Sequence, residues 1–167
     1  MKNVIQHTPQ AGKAQAEKGI IAPQPELLMM GSSIYRFASH DAPLGLHAGC
    51  WWIRESDFNG IMDRATNAKV DLGQKARWDL AVLQKWGGRM DVVVQARVSS
   101  RLWAWTGLAK PQQEQTPNGK VIRMFGNPGI RQLFLYDVID GSGMLTSRGR
   151  EALSITGAKV IPSAKIY

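Results

Sequence analysis

Side chains able to do chemistry are few in this chain: three histidines (His7, His40 and His47), one cysteine (Cys50), six tryptophans and a scatter of arginines. The histidines and Cys50 have no cysteine partner at a ligand-like spacing, which argues against a zinc site. His40, His47 and Cys50 are close enough in sequence for a cysteine nucleophile with a histidine base; a buried structural cysteine is the alternative. No phosphate-cradling Gly-x-x-x-x-Gly-Lys-Ser/Thr, Gly-x-Gly-x-x-Gly or Gly-x-Ser-x-Gly is present, so nucleotide hydrolysis, Rossmann redox chemistry and serine hydrolysis lose support. Arg97, Arg101, Arg123, Arg131, Arg148 and Arg150 are spread among apolar residues. They suit either solvated strand edges or a basic rim around a cleft for a phosphate-bearing ligand, because the planar guanidinium fork matches phosphate. Arginine and aromatics also interleave at Arg101-Leu102-Trp103-Ala104-Trp105, a composition on which nucleic-acid bases can stack. No recognition helix or RNA-binding signature accompanies it.

Positioning such groups takes a core, and 167 residues with 44% apolar content build one of ordinary domain size. With a single cysteine no internal disulfide forms, so a reducing, cytoplasmic setting is expected. No apolar run reaches the roughly 20 residues needed to span a bilayer, and no membrane partner is expected. The formal charge of +8 draws the chain toward polyanions, nucleotides or acidic protein surfaces. Residues 1–24 are polar and aperiodic and read as a flexible N-terminal arm, leaving 25–167 as a single α+β domain.

Within that domain, Ser33–Ala38 is expected as the first strand and 50–53 as a short second one. Ser56 or Asp57 can cap a helix through Ile61 and Met62. Leu72, Ala76, Leu80, Leu83 and Trp86 recur at three or four residues, which predicts one amphipathic helix over 70–86, stopped by Gly87-Gly88. Branched and aromatic runs at 92–98 and 102–106, joined by Ser99-Ser100-Arg101, are expected as antiparallel neighbours. Trp103 and Trp105 share one strand face, as core or as a ligand wall. Residues 107–119 read as a long polar loop, either a functional flap or a tolerated insertion. Strands at 121–125 and 130–138 are expected to continue a mainly antiparallel sheet, with another at 158–161.

The segment Ile34-Tyr35-Arg36-Phe37-Ala38-Ser39-His40-Asp41-Ala42-Pro43 resembles the opening motif of cholera- and pertussis-toxin-like ADP-ribosyltransferases. About ten residues carry the likeness directly. The order of elements carries the rest: an arginine strand, helices, then strands ending in a polar catalytic position. The resemblance implies an ADP-ribosyltransferase-like α+β fold and a small toxin, effector or mobile-element enzyme. It would use NAD as substrate, either transferring ADP-ribose or hydrolysing NAD. Arg36 would grip the NAD phosphates with Tyr35 beside it, and Trp51 or Trp52 would stack near nicotinamide, with Val98-Ser99-Ser100-Arg101 as a competing hydroxyl-bearing strand. The family's late-strand Gln/Glu-x-Glu reads here Gln132-Leu133-Phe134, so the catalytic glutamate is replaced. Gln132 would orient the ribose, Glu114 from the long loop is the carboxylate able to reach in, and a glutamate at 132 is expected to raise cleavage. The alternatives are a non-catalytic descendant of the fold that binds a protein target or inhibitor, and a basic nucleic-acid-binding or inhibitory interaction protein. Residue by residue, Arg36 can instead pair with Asp41, the tryptophans can fill the core, and Gln132 can be the outward position of an alternating strand.

Overall fold

A computed structural model of the chain describes residues 11–40 and 49–167. The elements run α1 (Lys13–Ala16), β1 (Gln24–Leu28), β2 (Ser33–Ala38), β3 (Trp51–Arg54), α2 (Glu55–Ala68), α3 (Leu72–Asp79), α4 (Gln84–Gly87), β4 (Val92–Val98), β5 (Leu102–Leu108), β6 (Gln112–Gln115), β7 (Val121–Met124), β8 (Arg131–Phe134), α5 (Ser147–Ala152) and β9 (Leu153–Val160). Seven strands form one antiparallel sheet in the order β1-β5-β8-β3-β2-β4-β9, and β6 pairs with β7 apart from it. The α+β class with a mainly antiparallel sheet and helices after the first strands is what the patterning predicts. Among the described residues no helix is long and apolar enough to cross a membrane.

The sheet is curled, and its connectivity requires this. Strands β4 and β5 follow one another through Ser99-Ser100-Arg101, yet stand four places apart in the sheet. Four Cα steps reach about 14 Å, whereas strands four places apart in a flat sheet lie about 19 Å from each other. The expected β4–β5 hairpin is therefore replaced by a corner at which the chain crosses between two facing halves. Val92, Val94, Ala96 and Val98 of β4 meet Leu102 and Ala104 of β5, Ile34 and Ala38 of β2 and Trp52 of β3 in one apolar cluster between those halves. A second cluster lies on the outer side of β2 and β3, where Phe58 and Ile61 of α2 and Ala76 of α3 cover Ile53, Tyr35 and Phe37.

The helix expected over 70–86 is two helices. Its apolar stripe serves two cores: Ala76 and Leu80 join the cluster under α2, while Ala81 and Leu83 turn away to Ala109 and Met124. Ala81 adopts φ 52 to make that turn. Fully buried Arg77 holds the break, its Nε donating to the Ala164 carbonyl at 2.7 Å and Nη1 to the Val82 carbonyl at 2.9 Å, with Nη2 on the Gly88 carbonyl. Trp86, expected on the buried stripe, is left exposed. Helix α2 starts at Glu55 without a side-chain cap, so Ser56 and Asp57 lie in its first turn instead of capping it.

Two further expectations are corrected. The polar stretch 107–119 is no free flap, because Gln112–Gln115 is locked into the β6–β7 hairpin, and 121–125 thereby leaves the main sheet. The arm expected over 1–24 is docked from Ala11 onward; residues 1–10 lie outside the described residues. Ala16 and Ile20 are buried against Trp105 and Phe134, Ile20 bridges Ala109, and the Trp105 indole donates to the Ala11 carbonyl at 2.6 Å. Trp105 is thus core.

Candidate functional site

Three neighbouring strands of the sheet, β8, β3 and β2, carry Gln132, Trp51 with Trp52, and Arg36 respectively. All four residues line a single cleft of about 950 Å³, toward the upper end of the range of small-molecule pockets. Its walls come from β2, β3 and β8, from the 80–88 turn with α4, and from Gln15, Lys18 and Gly19 of the docked arm. Among the described residues this lining includes Lys18, Arg36 and Lys85 but no aspartate or glutamate.

Arg36 points off β2, with its Nη1 making a long 3.4 Å bond to the Trp51 carbonyl and its Cζ 6.0 Å from the Trp52 ring centroid. Its Nε is shielded from solvent without a hydrogen-bond partner. Burial lowers its pKa to about 10, so it is still a cation at neutral pH. No carboxylate among the described residues forms an ion pair with it, and Asp41, the partner considered from sequence, lies outside them. Among the described residues this guanidinium therefore has no counter-charge. Gly49 leaves the room it needs, since a Cβ there would collide with the Arg36 guanidinium.

Gln132 is 8% exposed, and its Nε2 donates to the Leu80 carbonyl at 2.7 Å. Because that partner only accepts, the amide orientation is settled: the NH₂ end faces Leu80, leaving Oε1 as the acceptor available to a ligand. Trp51 packs against Phe134 at 4.9 Å between ring centroids, with Gly19 of the arm against its far edge. Trp52 is core, its indole donating to the Gly49 carbonyl at 2.6 Å, and it reaches the site by supporting Arg36. Tyr35 borders the cleft, but its ring is stacked on Phe58 at 4.2 Å, and burial followed by the Glu55 charge and hydrogen bond raises its pKa.

Glu114 stands elsewhere. It does not line the cleft; its carboxylate accepts the Gln84 amide at 2.6 Å, the Lys85 amide at 3.3 Å and the Tyr167 hydroxyl at 3.2 Å. It pins α4 from behind, a structural task its loop position concealed. His40 bonds to Asp91 and not to Cys50, and His47 lies outside the described residues. Cys50 does line the cleft, where burial raises its thiol pKa against the opposing charge of Arg36.

No protein-family model matches the chain, and no curated protein matches it. Solved structures do. The chain is similar to one in the structure of Rhs1-CT in complex with its cognate immunity protein RhsI1, at 21% identity and a TM-score of 0.51, covering 93% of this chain and 98% of that one. It is also similar to one in the structure of Tne2 in complex with Tni2, at 12% identity and a TM-score of 0.47, covering 84% and 92%. The likeness to the first establishes a shared fold.

Sequence reading missed two groups of lining residues. Lys85 and Trp86 were hidden by the helical stripe, although Gly87-Gly88 directly after them signals a tight turn. Lys18 and Gln15 fall in the polar stretch that reads as a free arm; the four-residue spacing of Ala16 and Ile20 is the available sign of docking.

Proposed function

We propose that this protein is an NAD glycohydrolase of toxin or effector type, built on an ADP-ribosyltransferase-like fold. One observation carries the reading: a single cleft is bordered both by Arg36, a shielded cation without a carboxylate partner among the described residues, and by Gln132 with its free acyl oxygen, the two standing on opposite faces of the sheet. A dinucleotide supplies what both lack. Its pyrophosphate gives Arg36 its counter-charge, and the nicotinamide ribose gives Gln132 a hydroxyl to bind. Trp51, braced by Phe134 and Gly19, offers an aromatic surface beside them.

In that pose the bond from ribose C1′ to the nicotinamide nitrogen breaks with its electron pair leaving on nicotinamide, and water adds to C1′ and releases its proton to bulk water. Gln132 holds the ribose hydroxyl and turns the negative end of its amide dipole toward the developing positive charge, with less stabilisation than a carboxylate would supply. No carboxylate among the described lining residues is available to activate a protein acceptor, which favours water over group transfer. We read the chain as the counterpart of Rhs1-CT and not of its immunity protein, because the basic cleft suits a phosphate-bearing substrate. As Rhs1-CT is held by a cognate immunity protein, an inhibitory protein partner belongs to the same proposal.

Nicotinamide release from NAD, with ADP-ribose affinity measured by calorimetry, tests it. Arg36→Ala should remove a charged contact contributing about 1.5–3 kcal/mol, and Arg36→Lys should restore only part, since a point charge cannot reproduce the fork. A wild-type protein that neither releases nicotinamide nor binds ADP-ribose refutes the reading.

A further inference from the structure

Residues 161–167 form no strand or helix, yet they are tied down from one end to the other. The Ile161 and Ala164 amides donate to the Asp91 and Arg89 carbonyls, each at 2.8 Å. Ala164 is fully buried beside Gly73 of α3, where a Cβ would come within 3.2 Å of the Ala164 methyl. At the far end one side-chain amide, that of Gln84, holds the segment. Its Oε1 accepts the Ile166 amide at 2.5 Å and the Tyr167 amide at 3.1 Å, and its Nε2 donates to the Tyr167 carbonyl at 2.8 Å. The Tyr167 hydroxyl adds a bond to Glu114.

The same partners hold the 80–88 turn that walls the cleft. Arg77 joins the two directly: its Nε donates to the Ala164 carbonyl at 2.7 Å, while its other nitrogens take the Val82 and Gly88 carbonyls near the two ends of the wall. Glu114 takes the Gln84 and Lys85 amides together with the Tyr167 hydroxyl. Gln84 lies on the cleft lining, but its amide is turned to residues 166–167 and already has three partners there. The wall contains only the four-residue helix α4, too short to be stable alone, so tertiary partners must keep it in place. It meets the sheet through the Leu80 carbonyl, the partner that fixes the Gln132 amide.

We propose that residues 161–167 are a strap that sets the cleft wall, with Gln84 as its latch and as a positioning residue for Gln132. The consequence for catalysis rests on the NAD reading above; the consequence for the wall does not. Releasing the Gln84 amide frees the wall to move, and the Leu80 carbonyl and the orientation of Gln132 move with it.

Gln84→Ala in the full chain, followed by hydrogen exchange, tests the strap. The Trp86, Gly87 and Gly88 amides, which close α4 on Leu83 and Gln84, should exchange at least about 10-fold faster once three hydrogen bonds are gone. The β4 amides should not change. Because Gln132 loses its fixed orientation, kcat for nicotinamide release should fall roughly 10- to 100-fold. Gln84→Glu keeps the two acceptor contacts and loses the donated one. It should fall between wild type and Gln84→Ala in both readouts, and it carries the test should the alanine variant not fold. Faster exchange at Ile166 and Tyr167 alone, or spread through β4, overturns the strap. Loosened wall amides with unchanged kcat overturn the positioning role. Wild-type protein that releases no nicotinamide overturns the glycohydrolase reading and the positioning role with it, and leaves the strap to be judged by exchange.

Discussion

Replacing Gln132 by glutamate is the most informative change, because sequence and structure give it opposite outcomes. Resemblance to the transferases predicts that a carboxylate at this position raises NAD cleavage. The structure predicts loss. Gln132 Nε2 donates to the Leu80 carbonyl at 2.7 Å in a position 8% exposed. An ionised carboxylate there loses the donor, leaves a buried carbonyl unpaired and sets two oxygens against each other. A buried acceptor left unpaired costs about 1–3 kcal/mol, and adding an inadequately compensated charge brings the total to about 3–5 kcal/mol at neutral pH. The sign of the pH dependence follows. Burial and the carbonyl favour the protonated acid, so the folded-state pKa is raised above the unfolded value of about 4.3. The protonated acid can donate to Leu80 as the amide does. The variant should therefore approach wild-type stability below about pH 4.3, and lose stability as the pH rises through the folded-state value. Denaturant unfolding at several pH values, run beside nicotinamide release, measures both effects. A variant as stable as wild type at pH 7 that cleaves NAD faster would refute the reasoning.

Gly49→Ala should abolish ADP-ribose binding with little change in melting temperature, because the new methyl displaces the Arg36 guanidinium without entering the main core; unchanged calorimetric affinity would count against the placement of Arg36. Deleting residues up to Ala22 should markedly lower the melting temperature, since it strips Ala16 and Ile20 from Trp105 and Phe134. Ile20→Ala alone should cost about 2–5 kcal/mol in denaturant unfolding, and a neutral result would mean that the segment is not docked in solution.

The sequence by itself determined the local elements whose causes are local. Ser33–Ala38 and Val92–Val98 are strands within the bounds their branched and aromatic runs imply, because alternation along a strand is written in adjacent residues. It also singled out Arg36, Trp51, Trp52 and Gln132, which border one cleft, Arg36 and Trp52 from one face of the sheet and Trp51 and Gln132 from the other. Tertiary structure decided everything that depends on what lies across the core. The stripe over 70–86 reads as one helix by periodicity, but periodicity does not say that Leu80 and Leu83 serve different clusters, and two cores break a helix that one would have continued. Glu114 and Gln132 are both polar residues on late segments in sequence. Only the fold turns the first back to hold α4 and the second in toward the cleft, because a side chain's role follows from the partners that distant parts of the chain bring to it.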